Sequence, residues 1–126
     1  MRVYLPLLLP ELTAVATDGH LPERPGHVVS DALRAADVEA DEEDLEFEAM
    51  CQALDAARAL GPGRRVVAAA DIADAPATGS DARLDRPVAV PLADVVSFHV
   101  EEDEGEVGTG YDDLLWYDVT ELAELT

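Results

Sequence analysis

Residues 41–60 read DEEDLEFEAMCQALDAARAL, and the organisation of the whole chain turns on them. Asp41 offers a side-chain oxygen to cap a helix. Glu42, Glu43 and Asp44 crowd the first turn, where the helix dipole favours negative charge. Arg58 sits near the far end, and Gly61-Pro62 stops the run. The pattern predicts one long helix from about Glu42 to Leu60. Projected at about 100° per residue, Leu45, Ala49, Ala53, Ala56 and Leu60 form one apolar stripe, and Phe47, Met50, Leu54 and Ala57 form a second beside it. A helix so broadly apolar, with small Ala along one stripe, is expected to lie close against a sheet while another element covers its flank.

Strand patterns flank that helix. Arg2 to Leu5 alternate, with Val3 and Leu5 on one face and Arg2 and Tyr4 on the other. Pro10 suits a first helical turn, and the helix it opens should stop at Asp18-Gly19. Residues 19–29, with His20 and His27, read as a loop, and Ser30 as the cap of a short helix through Ala36. RVVAAADI (65–72) is a continuous apolar run that suits a central strand. Residues 73–87 carry Pro, Gly, Ser and Asp and read as an exposed loop. Val88–Val90 and Leu92 read as a short strand of their own. In DVVSFHVE (94–101), Val96, Phe98 and Val100 are expected on one face and Val95, Ser97 and His99 on the other. Residues 101–110 form an acidic loop, LLWYDV (114–119) a last strand and Thr120–Leu125 a terminal turn.

There are no internal repeats, and 126 residues fit a single domain spanning 1–126. The class is α+β. The expected architecture is a mainly antiparallel four-stranded sheet with helices on one face. That is a degenerate ferredoxin-like, split βαβ arrangement with its first helical region expanded.

Charge is the most unusual property: 28 Asp and Glu against 8 Arg, with no Lys, for a net −20. Such a chain repels nucleic-acid phosphates and anionic headgroups, so no nucleic acid and no membrane surface is expected as partner. The absence of Lys and Asn, a lone Ile and abundant Ala, Asp, Val, Arg and Gly point first to compositional bias of the coding sequence. A halophilic surface and an acidic mimic of nucleic acid are the other readings. Pro6, Pro10 and Glu11 interrupt the opening apolar run, so it reads as structure rather than a signal peptide. No run reaches the ~18 apolar residues a membrane span needs, and a cytoplasmic location is expected. Cys51 excludes an intrachain disulfide and falls in the helix pattern, as an unreactive buried thiol.

Motifs for chemistry are scarce. His20 and His27 lie seven residues apart with no Cys or third His nearby, which does not make a metal site. His99 shares a face with Glu101, as a candidate ligand or acid–base pair whose plain alternative is a partly exposed strand histidine. Glu101, Glu102, Asp103, Glu104 and Glu106 lack the spacing of a Ca²⁺ loop. Ser30, Ser80 and Ser97 sit in no nucleophile elbow, and the glycines form no phosphate cradle. Arg64-Arg65 reads as a partner for carboxylates at a helix end. Trp116 and Tyr117, adjacent on a strand, must face opposite sides. No catalytic, cofactor-binding or metal residue is assigned, and no cofactor is implied.

MRVYLP (1–6), DEEDLEFEAM (41–50), VVAAADI (66–72), SFHVEED (97–103) and DLLWYDVTEL (113–122) together resemble an uncharacterised actinobacterial family of domains of unknown function. Its members open on MRVY and close on an LLWYD-like segment. The resemblance runs nearly end to end, is carried by apolar strands and an acidic helix start, and implies no activity.

Two functional expectations follow. The first is a non-catalytic cytoplasmic module that contacts a protein partner or a second copy through an uncovered sheet face bearing Arg2, Tyr4, Val67, Ala69, Ser97, His99 and Trp116 or Tyr117. The alternative is a small enzyme or ligand-binding protein with Arg2, Tyr4 and His99 in a pocket on that face. Concavity separates them: a pocket gathering His99 and an arginine favours the alternative.

Overall fold

A computed structural model describes residues 2–29, 31–72 and 83–126. The long helix stands where the sequence puts it. It is α3 (Glu42–Ala57), with a 3-10 turn at Arg58–Leu60 before Gly61, and the Asp41 side chain accepts a hydrogen bond from the Asp44 N–H at 2.9 Å. Leu45, Ala49, Ala53, Leu54 and Ala57 are buried, while Leu60, expected in the apolar stripe, is 39% exposed. The other α-helices among the described residues are α1 (Leu12–Asp18) and α2 (Asp31–Ala36). Gly19 closes α1 in the left-handed conformation, donating its N–H to the Val15 carbonyl. The proposed Ser30 cap lies outside the described residues.

Among the described residues, six strands build the sheet: β1 (Arg2–Leu8), β2 (Arg24–His27), β3 (Arg65–Asp71), β4 (Arg83–Val88), β5 (Val95–Val100) and β6 (Leu115–Asp118). Their order is β4-β2-β1-β3-β5-β6, and all five pairings are antiparallel. The fold is α+β with an open antiparallel sheet. The four-stranded, ferredoxin-like expectation is corrected on two counts: there are two more strands, and β1 pairs directly with β3 across the long helical connection, where a split βαβ unit would set another strand between them.

The extra strands, β2 and β4, fall in stretches that sequence reading assigns to loops at 19–29 and 73–87. RPGH and RLDRPV lack the β-branched run of an interior strand. They pair nonetheless, because β4 is an edge, Pro25 faces Pro87, and the register shifts between Pro25 and His27. Proline is tolerated at such edges and bulges. Gly26 has a steric reason: a Cβ there would come within 2.8 Å of Val3 Cγ2, so only glycine lets β2 approach β1.

The larger correction concerns the helices, which cover both faces of the sheet. On one face α1 and the C-terminal 3-10 turn (Val119–Leu125) pack Leu12, Val15 and Leu122 against Val3, Leu5, Leu7, Val66, Ala68, Phe98 and Val100. On the other face α3 sets Ala49, Ala53 and Leu54 against Tyr4, Val67 and Ala69. The reason is legible in β3. Arg65 through Ala70 are buried at every position, which is possible only for a strand covered on both sides. Alanine on helix and strand alike lets the layers approach closely. The sheet face expected to be uncovered is thus the seat of α3.

One bulge re-aims a side chain. Ala69 pairs with Ser97, but Ala70 pairs with Val95, so Val96 is the extra residue. Val95 therefore turns into the core beside Phe98, and the expected strict alternation across Val95 and Val96 is reversed. Val96 is left partly exposed on the side of α3.

Candidate functional site

The helix does not cover its sheet face completely. Toward its N-terminal half, α3 and strands β1, β3, β5 and β6 enclose an open cleft of about 280 Å³. The sheet register builds its floor. Tyr4 pairs with Ala69 and Ala69 with Ser97, and in the next row Val67 pairs with His99 and His99 with Trp116. The α3 side contributes Glu43, Glu46, Phe47 and Met50. Trp116 forms the outer wall, 59% exposed, whereas its neighbour Tyr117 turns to the opposite core. Arg2, Tyr4 and His99, expected to share a pocket, do share one.

The polar groups at the floor are arranged in two pairs. Ser97 Oγ and His99 Nε2 are 3.1 Å apart and share a hydrogen bond; Ser97 is only 3% exposed. Burial, and after it the positive charge of Arg2, holds the His99 pKa below its ordinary value, so the imidazole is neutral at pH 7. Arg2 is itself occupied. Its Nε donates to Asp71 Oδ1 at 2.7 Å and its Nη2 to Oδ2 at 3.1 Å. That ion pair raises the Arg2 pKa and lowers that of Asp71. Tyr4, 6% exposed, has its phenol pKa raised by burial first and by Glu46 second.

His99 does not join Glu101, as the shared face had suggested. Glu101 belongs to an ionic knot at the other end of β3. Arg65, fully buried, donates from Nη2 to Glu101 Oε1 at 2.7 Å and from its backbone N–H to Oε2 at 2.6 Å. It also reaches the Thr109 carbonyl at 2.9 Å, and Arg64 Nε donates to the Glu101 carbonyl. Arg58 ties in the Gly105, Gly61 and Gly63 carbonyls. Burial pushes the Glu101 carboxyl up, but Arg65 and the backbone donors outweigh it, and the net shift is downward. These arginines pin the acidic loop onto the end of α3; Arg65 partners a carboxylate as expected, whereas Arg64 reaches a backbone carbonyl instead, and Tyr111 adds a hydrogen bond to Asp55.

The other candidates are dispersed. His20 lies by Pro91, and His27 is buried in β2 beside a separate, mostly apolar hollow formed by Pro6, Pro25, Ala56 and Leu60. Ser30 and Ser80 lie outside the described residues. Among the described residues no group of three or more His, Cys, Asp or Glu is placed to hold a metal ion, and no helix is long and apolar enough to cross a membrane. Cys51 is buried on α3, and burial together with Glu48, Asp55 and Asp112 pushes its thiol pKa up to about 11.

What sequence reasoning missed is the roof. In the sequence Phe47 and Met50 read as part of an apolar stripe and Glu43 as part of the acidic first turn, while nothing singles out Glu46. The signal that could have placed them is the unbroken apolar run of β3, which requires a helix over the Tyr4 and Ala69 side as well. No curated protein and no solved structure matches the chain. A family model does, over residues 1–111, and the chain therefore belongs to that family of unknown function, DUF6912.

Proposed function

We propose that this protein binds a small organic ligand in the cleft between α3 and the sheet, acting in the cytoplasm as a binding module rather than a catalyst. The observation that carries the reading is the cleft floor, where the buried Ser97, hydrogen-bonded to the half-buried His99, lies beside the aromatic surfaces of Phe47 and Trp116. Ligand sites combine apolar walls with a few fixed polar groups in this way. Binding is favoured over catalysis because a Ser–His couple needs a third group to orient the imidazole. Among the described residues, no carboxylate hydrogen bond to His99 is recorded.

The test uses Trp116, the single tryptophan, as reporter. A fragment set of aromatic amines, alcohols and acids should contain members that shift both Trp116 emission and the His99 imidazole resonances. His99→Ala or Phe47→Ala should weaken those responses. A blank screen, or binding indifferent to both substitutions, refutes the reading.

A second reading, contact with a protein partner or a second copy, is supported by a different observation. β6 is an edge strand whose Leu115 and Trp116 are both exposed. Exposed strand edges invite pairing. Light scattering should then report a dimer that Trp116→Ser dissociates, and a monomer at high concentration rules out the second copy.

A further inference from the structure

We infer that the ligand of the cleft is an organic cation, an ammonium group carried on an apolar or aromatic body. The inference rests on the ligand-binding reading above and adds the chemical class. It follows from the balance of charge around the cavity. Among the described residues Arg2 is the one cationic side chain lining it, and Asp71 holds it through two hydrogen bonds. Burial, and after it Arg2, holds the His99 pKa below its ordinary value, which disfavours a positive charge there. Glu43 and Glu46, on the α3 side, form no salt bridge with any described residue, although Glu46 is near enough to Arg2 and Tyr4 for its charge to raise the pKa of both. Counting Asp71, the cavity and its edge therefore set three carboxylates against one guanidinium, on a chain of net charge −20.

The walls suit the same ligand. Phe47 and Trp116 are 43% and 59% exposed at the mouth, unusually open for side chains of that size. The face of an aromatic ring attracts a cation, and tryptophan does so best. Carboxylates and aromatic faces together select an ammonium group over an isosteric neutral group and disfavour a carboxylate, which would meet Glu43 and Glu46. The apolar body of such a ligand would lie over Met50, Ala69 and Val96.

The experiment is calorimetric titration of the whole chain with 3-phenylpropylammonium, 3-phenylpropanol and 3-phenylpropionate. The ammonium should bind about ten-fold or more tighter than the alcohol, and the carboxylate most weakly. Glu43→Gln with Glu46→Gln should lower the ammonium affinity toward that of the alcohol, the remaining preference being that of the aromatic faces, while leaving alcohol binding in place. Equal affinity for the three compounds, or ammonium binding unchanged in the double variant, overturns the cation assignment while the cleft reading stands. If none of the three binds, the cation assignment falls; the cleft reading falls with it only if the wider fragment screen is also blank.

Discussion

Arg65 is the residue on which the far end of the molecule depends. A fully buried guanidinium needs its charge balanced, and Glu101 supplies the close counter-charge, while the Thr109 and Leu54 carbonyls accept further donors and Nε is left without a partner. Removing one partner strands the other in a low-dielectric site. Arg65→Leu is expected to cost about 3–5 kcal/mol in urea unfolding, and the paired Arg65→Leu, Glu101→Leu variant distinctly less. A single variant no worse than the double would contradict the coupling. The same pair sets an acid limit. Glu101 has its folded pKa depressed, so its contribution is full above the unfolded carboxylate value and is lost as pH falls through the folded one. His99, also depressed, acts in the same direction at higher pH: its contribution is full above its unfolded value and declines as pH drops below it. Stability measured by denaturant should fall on acidification in two stages, the higher one absent in His99→Gln. A higher stage that persists in that variant contradicts the assignment to His99.

At the scale of elements, α3 was legible to within a residue or two because its signals are local. Asp41 caps it, acidic residues fill its first turn and Gly61 ends it. Asp41→Ala should destabilise the protein by about 1 kcal/mol in thermal or urea unfolding, since the hydrogen bond to the Asp44 N–H is lost. No change would mean that the cap is idle. Strands β1, β3, β5 and β6 were legible from apolar runs and alternation. β2 and β4 were not, because their pairing depends on edge position and on Gly26 fitting against Val3, neither of which alternation encodes. The cleft was half legible: strand periodicity put Arg2, Tyr4, Ser97 and His99 on one face. It could not say that α3 would lie over that face, nor that the bulge at Val96 would turn Val95 away. Those outcomes are settled by packing between distant segments, with Ala53 and Ala69 small enough to let the layers meet.

For the whole molecule, charge is the governing quantity. With net −20 on 126 residues, self-repulsion opposes the compact state at neutral pH. Salt screens it, with a Debye length of about 30 Å at 0.01 M falling to about 3 Å at 1 M. The melting temperature should rise between those limits, although the exposed Arg34–Glu42 pair weakens over the same range. A melting temperature that falls with added salt would show that ion pairs, not repulsion, dominate. The acidity also bears on the cleft, because a negative envelope concentrates cations near Glu43 and Glu46.

All of this depends on α3 lying over the sheet face that carries Tyr4, Val67 and Ala69. The direct measurement is a methyl-resolved nuclear Overhauser spectrum of the free protein. Cross-peaks from the Ala49 and Ala53 methyls to those of Val67 and Ala69 are predicted, with the same methyls shielded from a soluble paramagnetic agent. Absence of those cross-peaks, with Val67 and Ala69 bleached by the agent, would contradict the account.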